Sequence, residues 1–87
     1  MIQIRYHKGF IREFKELPQP IRLKAAHLEV LFREFPFHPQ LKTKKLQGKL
    51  QHLYSFRITR DYRIIFQFTA AEEAEFLMIK HRKDVYR

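Results

Sequence analysis

Two arginines, Arg57 and Arg63, flank the short polar segment Thr59-Arg60-Asp61 within the stretch LYSFRITRDYRIIFQF, residues 53–68. If the chain reverses around Arg60, residue 57 lies opposite residue 63. Both guanidinium groups then stand side by side on one face of a β-hairpin, away from its core face. Two such cations held close on a rigid sheet repel unless an anion comes between them, and a phosphate fits the guanidinium fork. Cleaving RNA without a metal requires three things: a base for the 2′-OH proton, cations for the charge that develops at phosphorus, and an acid for the departing 5′ oxygen. Arg57 and Arg63 suit charge stabilisation, because a guanidinium does not exchange its proton near neutral pH. The imidazole of His81 does exchange there and is the best proton carrier in the chain. Tyr86 either stacks on a base and positions a phosphate or packs the C-terminal tail onto the sheet. Lys45 and Lys49 either grip the RNA backbone and assist proton transfer or are ordinary solvated lysines. The Lys45/Lys49 loop, the Arg57/Arg63 pair and the His81–Tyr86 tail are expected to converge on the open face of the sheet.

The charge distribution points the same way. The 87 residues carry 18 Lys and Arg against 9 Asp and Glu, a net charge of +9. Residues 38–63 hold seven cations, Lys42, Lys44, Lys45, Lys49, Arg57, Arg60 and Arg63, against the single acid Asp61. A local excess of this size marks a polyanion site; the bland alternative is a basic surface without a partner. Arg60, Arg82 and Lys83 join the four lysines as candidate RNA contacts.

Other chemistries find no support. The chain has no cysteine, which excludes disulfides and thiolate metal sites. His7, His27, His38 and His52 lack metal-ligand spacing, the acids are dispersed, and no P-loop, dinucleotide fingerprint or nucleophile elbow occurs. No metal or cofactor is implied. No apolar run approaches the roughly 18 residues of a membrane span, and the N-terminus has no signal-peptide core, so a cytoplasmic location is expected.

The elements that must position these residues follow from periodicity. Tyr54, Phe56, Ile58, Tyr62, Ile64, Phe66 and Phe68 share one parity, that of strands packing one face on a core. Residues 1–6 read as a first strand. Phe10, Phe14 and Leu17 mark a helix that Pro18 ends. Pro20 then opens a second helix with the apolar stripe Ile21, Ala25, Leu28, Phe32 and Phe35, stopped by Pro36 and Pro39. Leu23, Val30 and Leu31 widen that stripe; the simpler reading is deeper burial, the sharper one a groove for a partner helix. Residues 38–51 read as an irregular connector in which Gly48 serves a turn. Residues 74–80 read as a strand buried on both faces through Phe76, Leu77, Met78 and Ile79. The expected fold is α+β, with order β-α-α-β-β-β: a helix hairpin on one face of a four-stranded, largely antiparallel sheet, residues 1–87 forming one domain.

Leu46-x-Gly48, Tyr54-Ser-Phe-Arg57-Ile, Asp61-Tyr-Arg63-Ile-Ile-Phe66 and Ile79-Lys-His81-Arg-Lys-Asp-Val-Tyr86 together resemble the RelE/ParE toxin superfamily, the connector being most like its YafQ and RelE/StbE branches. The resemblance is specific over the last 45 or so residues. It implies a bacterial or archaeal type II toxin that cleaves mRNA in the ribosomal A site. It also implies a co-encoded antitoxin that wraps the toxin, with operator DNA bound only through their complex. Arg57 then occupies a position where members place a catalytic Lys or His, and Arg63 matches their phosphate-stabilising Arg. His81 and Tyr86 match the segment completing the site, and Asp61 falls where YafQ-like members use an Asp. Two departures stand out. Ser55 replaces a lysine common in RelE-like members, and no Glu of the basic loop is available to pair with His81. The proton acceptor is then His81 or a lysine. The alternatives on the same fold are a ParE-like inhibitor of DNA gyrase and a non-catalytic RNA-binding protein. A +9 chain with a wide apolar helix face further calls for an acidic, amphipathic antitoxin segment as partner.

Overall fold

The computed structural model describes residues 1–81. At its centre is the hairpin of β3 (Tyr54–Arg57) and β4 (Tyr62–Ala70), antiparallel, with Tyr54 opposite Phe66 and Arg57 opposite Arg63. The reversal is closed by Ile58 and Thr59, whose N–H groups both donate to the carbonyl of Tyr62, at 2.9 and 3.3 Å. The Thr59 hydroxyl accepts from the Asp61 N–H at 3.3 Å. β5 (Glu73–His81) lies antiparallel to β4 on the other side, and β1 (Gln3–Tyr6) lies parallel to β5.

The sheet has five strands, not the four expected, in the order β1-β5-β4-β3-β2. The additional β2 is the pair Lys44–Lys45, antiparallel to β3 inside the stretch read as an irregular connector. Two residues are too few to display the alternation by which a strand is recognised in sequence. Gly48 does supply a turn, at φ +71.

α1 (Lys8–Glu16) and α2 (Gln19–Glu34) cover one face of this sheet. His7 caps α1, its Nδ1 accepting from the Gly9 N–H at 3.0 Å, and Pro18 separates the helices. On α2 the stripe buries Ala25, Leu28 and Phe32, with Ile21 packed half-buried beside them. Phe35, the expected last member, instead leaves the helix as its C-terminal cap and is 57% exposed. Leu23 and Val30 are also exposed, at 64% and 65%, which overturns the reading of deeper burial for these two, whereas Leu31 packs half-buried against the core as that reading has it. The positions of Leu23 and Val30 fall beyond the arc of a helix that a single sheet face can cover.

The core is aromatic. Phe32 is fully buried, its ring 5.2 Å from Phe56, 4.9 Å from Phe66 and 5.2 Å from Phe76, so one helical side chain meets three adjacent strands. A second tie joins β1 to α2: the Tyr6 hydroxyl donates to Glu29, and Arg33 donates to the same carboxylate oxygen at 3.0 Å and to the Tyr6 oxygen at 3.3 Å. Partial burial, and then the hydrogen bond to Glu29, push the Tyr6 phenol up from 10.0 to about 12.

Two outcomes follow. Phe32→Ala should lower the free energy of unfolding by about 3–5 kcal/mol in urea denaturation, since it empties the one site shared by three strands. Because folding raises the Tyr6 phenol, its share of stability is whole below pH 10 and lost as pH rises towards 12. Ultraviolet titration should therefore show a late-ionising phenol that Tyr6→Phe removes; four phenols ionising together near pH 10 would contradict the tie.

Candidate functional site

A strand presents alternate residues to opposite faces, so the register decides which side chains can meet. Phe56, Ile64, Phe66 and Phe76 point towards the helices. Ser55 and Arg57, of opposite parity on β3, face the other way, as do Arg63 on β4 and Lys44 on β2, which is paired with Ser55. On β5 the residue opposite Arg63 is Lys80. Four neighbouring strands thus each contribute one cation to the same face: Lys44, Arg57, Arg63 and Lys80.

This face is not simply open. Arg63 is only 3% exposed, and Arg57 is half-buried. Both line a cleft of about 640 Å³ at the hairpin's turn, together with Thr59 and Arg60 and, from the helix side of the sheet, Ile58, Gln40 and Lys24 and Leu28 of α2; Lys44 and Lys80 are not part of its lining. The lining holds four cations and no carboxylate among the described residues. Among the described residues the buried Nε of Arg57 and the Oγ of fully buried Ser55 find no hydrogen-bond partner. Opposing two guanidinium groups is costly, as is leaving the buried Arg57 Nε and Ser55 Oγ without partners. An anion seated between the guanidinium groups offsets that cost, and a phosphate oxygen accepts from both.

The other expected residues are distributed as follows. Arg60 lines the cleft, whereas Asp61 lies exposed in the turn beside it. Lys45 pairs with Tyr54 and so takes the helix-side parity, and Lys49 sits exposed in a 3-10 turn at Gly48–Leu50. Neither lines the cleft, so the expected convergence of the Lys45/Lys49 loop on the arginine pair is not what the fold produces. Lys44, one residue earlier, takes the arginine face instead. Lys42 caps the 3-10 turn Pro39–Leu41 in a left-handed conformation, φ 50.

His81 is likewise displaced by one position. It pairs with Tyr62, the two rings 5.4 Å apart at 78°, on the parity of Ile64 and Ile79 rather than that of Arg63. The cause is an irregularity in β5: the register steps from Phe66↔Phe76 to Ile65↔Met78, leaving Leu77 as an extra residue. The bulge exchanges the faces of all that follows it. Lys80 is the functional candidate that sequence reading missed, and the unbroken run Phe76–Ile79 hides the bulge from any alternation test. Lys24 and Gln40 were missed as well, since only the packing of α2 and the Pro39–Leu41 turn brings them to the cleft. Tyr86, Arg82 and Lys83 lie outside the described residues. Among the described residues no group of His, Asp and Glu is arranged to hold a metal ion.

Chemically, the arrangement can bind a phosphodiester, hold extra negative charge on it through two guanidinium groups, and bring a lysine amine beside it.

The sequence model of the ParE-like toxin domain matches residues 19–83. No curated protein matches the chain. Among solved structures, the chain is similar to a YoeB/ParE toxin from Agrobacterium tumefaciens, with TM-score 0.79 and 15% identity over 93% of this chain and 99% of that one. It is similar to YafQ from E. coli strain BL21(DE3), with TM-score 0.79 and 15% identity over 100% of both chains. It is also similar to the archaeal RelE–RelB complex from Pyrococcus horikoshii OT3, with TM-score 0.76 and 21% identity over 93% of this chain and 94% of that one. A structural likeness at these identities establishes the fold, an α+β domain with two helices on a five-stranded mixed sheet. Taken with the family match over most of its length, the chain belongs to the ParE-like toxin domain family of the RelE/ParE toxin superfamily.

Proposed function

We propose that this toxin is an endoribonuclease that cleaves mRNA in the ribosomal A site and so arrests translation in the cytoplasm. The observation that carries this reading is the cleft in which Arg57 and Arg63 stand side by side, with Lys44 and Lys80 on the same face of the neighbouring strands. A surface that merely binds RNA does not require two cations on directly opposed residues with one of them buried; an oxyanion gaining charge does.

In the reaction, a base takes the proton of the 2′-OH, the 2′ oxygen attacks phosphorus, and the bond to the 5′ oxygen breaks. The products are a 2′,3′-cyclic phosphate and a 5′-OH that has received a proton from the acid. Arg57 and Arg63 hold the charge of the pentacoordinate state. They cannot serve as the proton carriers, so that work falls to Lys80 or Lys44 on the same face, with Tyr86 of the C-terminal segment completing the site. Lys24 and Arg60 steer the RNA backbone at the cleft mouth, and Lys42, Lys45, Lys49, Arg82 and Lys83 add to the long-range field that draws in ribosomal RNA.

The partner that silences the toxin is a co-encoded antitoxin with an acidic, amphipathic segment; the P. horikoshii RelE neighbour is itself found in complex with RelB. On this chain the receiving surface is the outer face of α2. There Leu23 and Val30 are exposed, and two hollows of about 290 and 390 Å³ lie along residues 27–40. Operator DNA is then contacted only through the antitoxin complex.

Induction should stop growth and translation, with mRNA cut on translating ribosomes and gyrase supercoiling unaffected. Arg57→Ala and Lys80→Ala should each lower cleavage by about 10²-fold or more, as loss of a transition-state donor does. Undiminished toxicity in both variants would remove this cleft from consideration. Inhibition of supercoiling with intact mRNA would assign the gyrase activity instead. Val30→Asp, which alters only exposed surface, should leave toxicity intact and weaken neutralisation by the antitoxin.

A further inference from the structure

β1 pairs with β5 only as far as Tyr6↔Phe76, where the chain leaves the sheet for α1. Beyond Phe76, β5 has no strand on that side among the described residues, yet this is the segment that bulges at Leu77 and then carries Lys80 to Arg63. A bulged strand paired on one side only holds its register less firmly than one paired on both, and a slip of one residue exchanges its two faces. α1 supplies what the missing strand would. Just before the bulge, the His7 N–H donates to the Phe76 carbonyl at 2.9 Å. Just after it, the Ile79 N–H donates to Oε1 of Glu13 at 3.0 Å, a partly buried bond between residues 66 apart in sequence. The start of α1 and its Glu13 side chain therefore bracket Leu77 and Met78.

We infer that Glu13 is a positioning residue for the phosphate-binding face: by holding the Ile79 amide it fixes the register of β5 beyond the bulge, and so keeps Lys80, not His81, opposite Arg63. The inference rests on the endoribonuclease reading for its kinetic consequence, though not for its structural one. A carboxylate suits the task because it accepts strongly from a backbone N–H and its reach from α1 spans the gap that β1 vacates. An amide oxygen can make the same bond, whereas a methyl group cannot.

The test is a double-mutant cycle on the full-length toxin with translating ribosomes and mRNA, using Glu13→Ala, Glu13→Gln and Lys80→Ala. Glu13→Ala should lower kcat by about 10- to 100-fold with KM little changed, the scale on which a misplacement of about 1 Å acts. Glu13→Gln should restore most of the loss. In the Lys80→Ala background, Glu13→Ala should cost nothing further, because its effect passes through Lys80. An equal loss in both backgrounds, or no recovery with Gln, overturns the inference. The register is read independently by nuclear Overhauser contacts between β4 and β5, with Glu13→Asp, whose carboxylate falls short of Ile79, standing in if the alanine variant does not fold. Loss of the contacts between Ile64 and Ile79 supports the role, and their retention refutes it. If the wild-type protein cuts no RNA, the endoribonuclease reading falls and these contacts alone decide for or against Glu13.

Discussion

The burial of Phe32 is the contact on which the architecture depends. A single ring on α2 touches β3, β4 and β5 through Phe56, Phe66 and Phe76, so helix and sheet cannot shift relative to each other without opening a void at their junction. The rigidity matters more for the opposite face than for the core itself. Side chains at neighbouring positions of one sheet keep their spacing only while the strands keep their register, and the register is strongly specified wherever one face is tightly packed. The aromatic face thus does for the cationic face what that face cannot do for itself.

Left alone, the cationic face would drive its strands apart. Arg57 and Arg63 are directly opposed, and like charges at opposed positions weaken a strand pair. Placing Arg63 out of water compounds the cost. Local rules are broken at this point and satisfied almost everywhere else, as at the capped start of α1 and the closed β3–β4 turn. A sequence that tolerates such a conflict at one place points to that place as the working one.

The fold was largely legible because its signals are long: two amphipathic helices bounded by proline, and a hairpin whose alternation runs from Tyr54 to Phe68. The opposition of Arg57 and Arg63 followed from the length of the turn alone. What escaped were features with no periodic signature. β2 is too short to alternate. The bulge at Leu77 lies in an apolar run where either parity reads the same, so His81 drew the attention that the register gives to Lys80. Lys24 and Gln40 reach the cleft through tertiary packing, which no spacing within the chain encodes. The outer residues Leu23 and Val30 could not be told from core by hydrophobicity, because only the angle of α2 on the sheet decides which side of the stripe is covered.

The placement of the cations also constrains the chemistry. Guanidinium groups that are fixed in direction and permanently protonated lose nothing in reorganisation when charge appears at phosphorus, which is the condition for electrostatic preorganisation to lower a barrier. They contribute nothing to moving the two protons that the proposed cleavage must transfer. A site built around an arginine pair therefore needs proton carriers that are neighbours of the pair rather than members of it. The fold places Lys80 directly across from Arg63, and Lys44 on β2 level with Ser55, two residues along the sheet from the arginine pair.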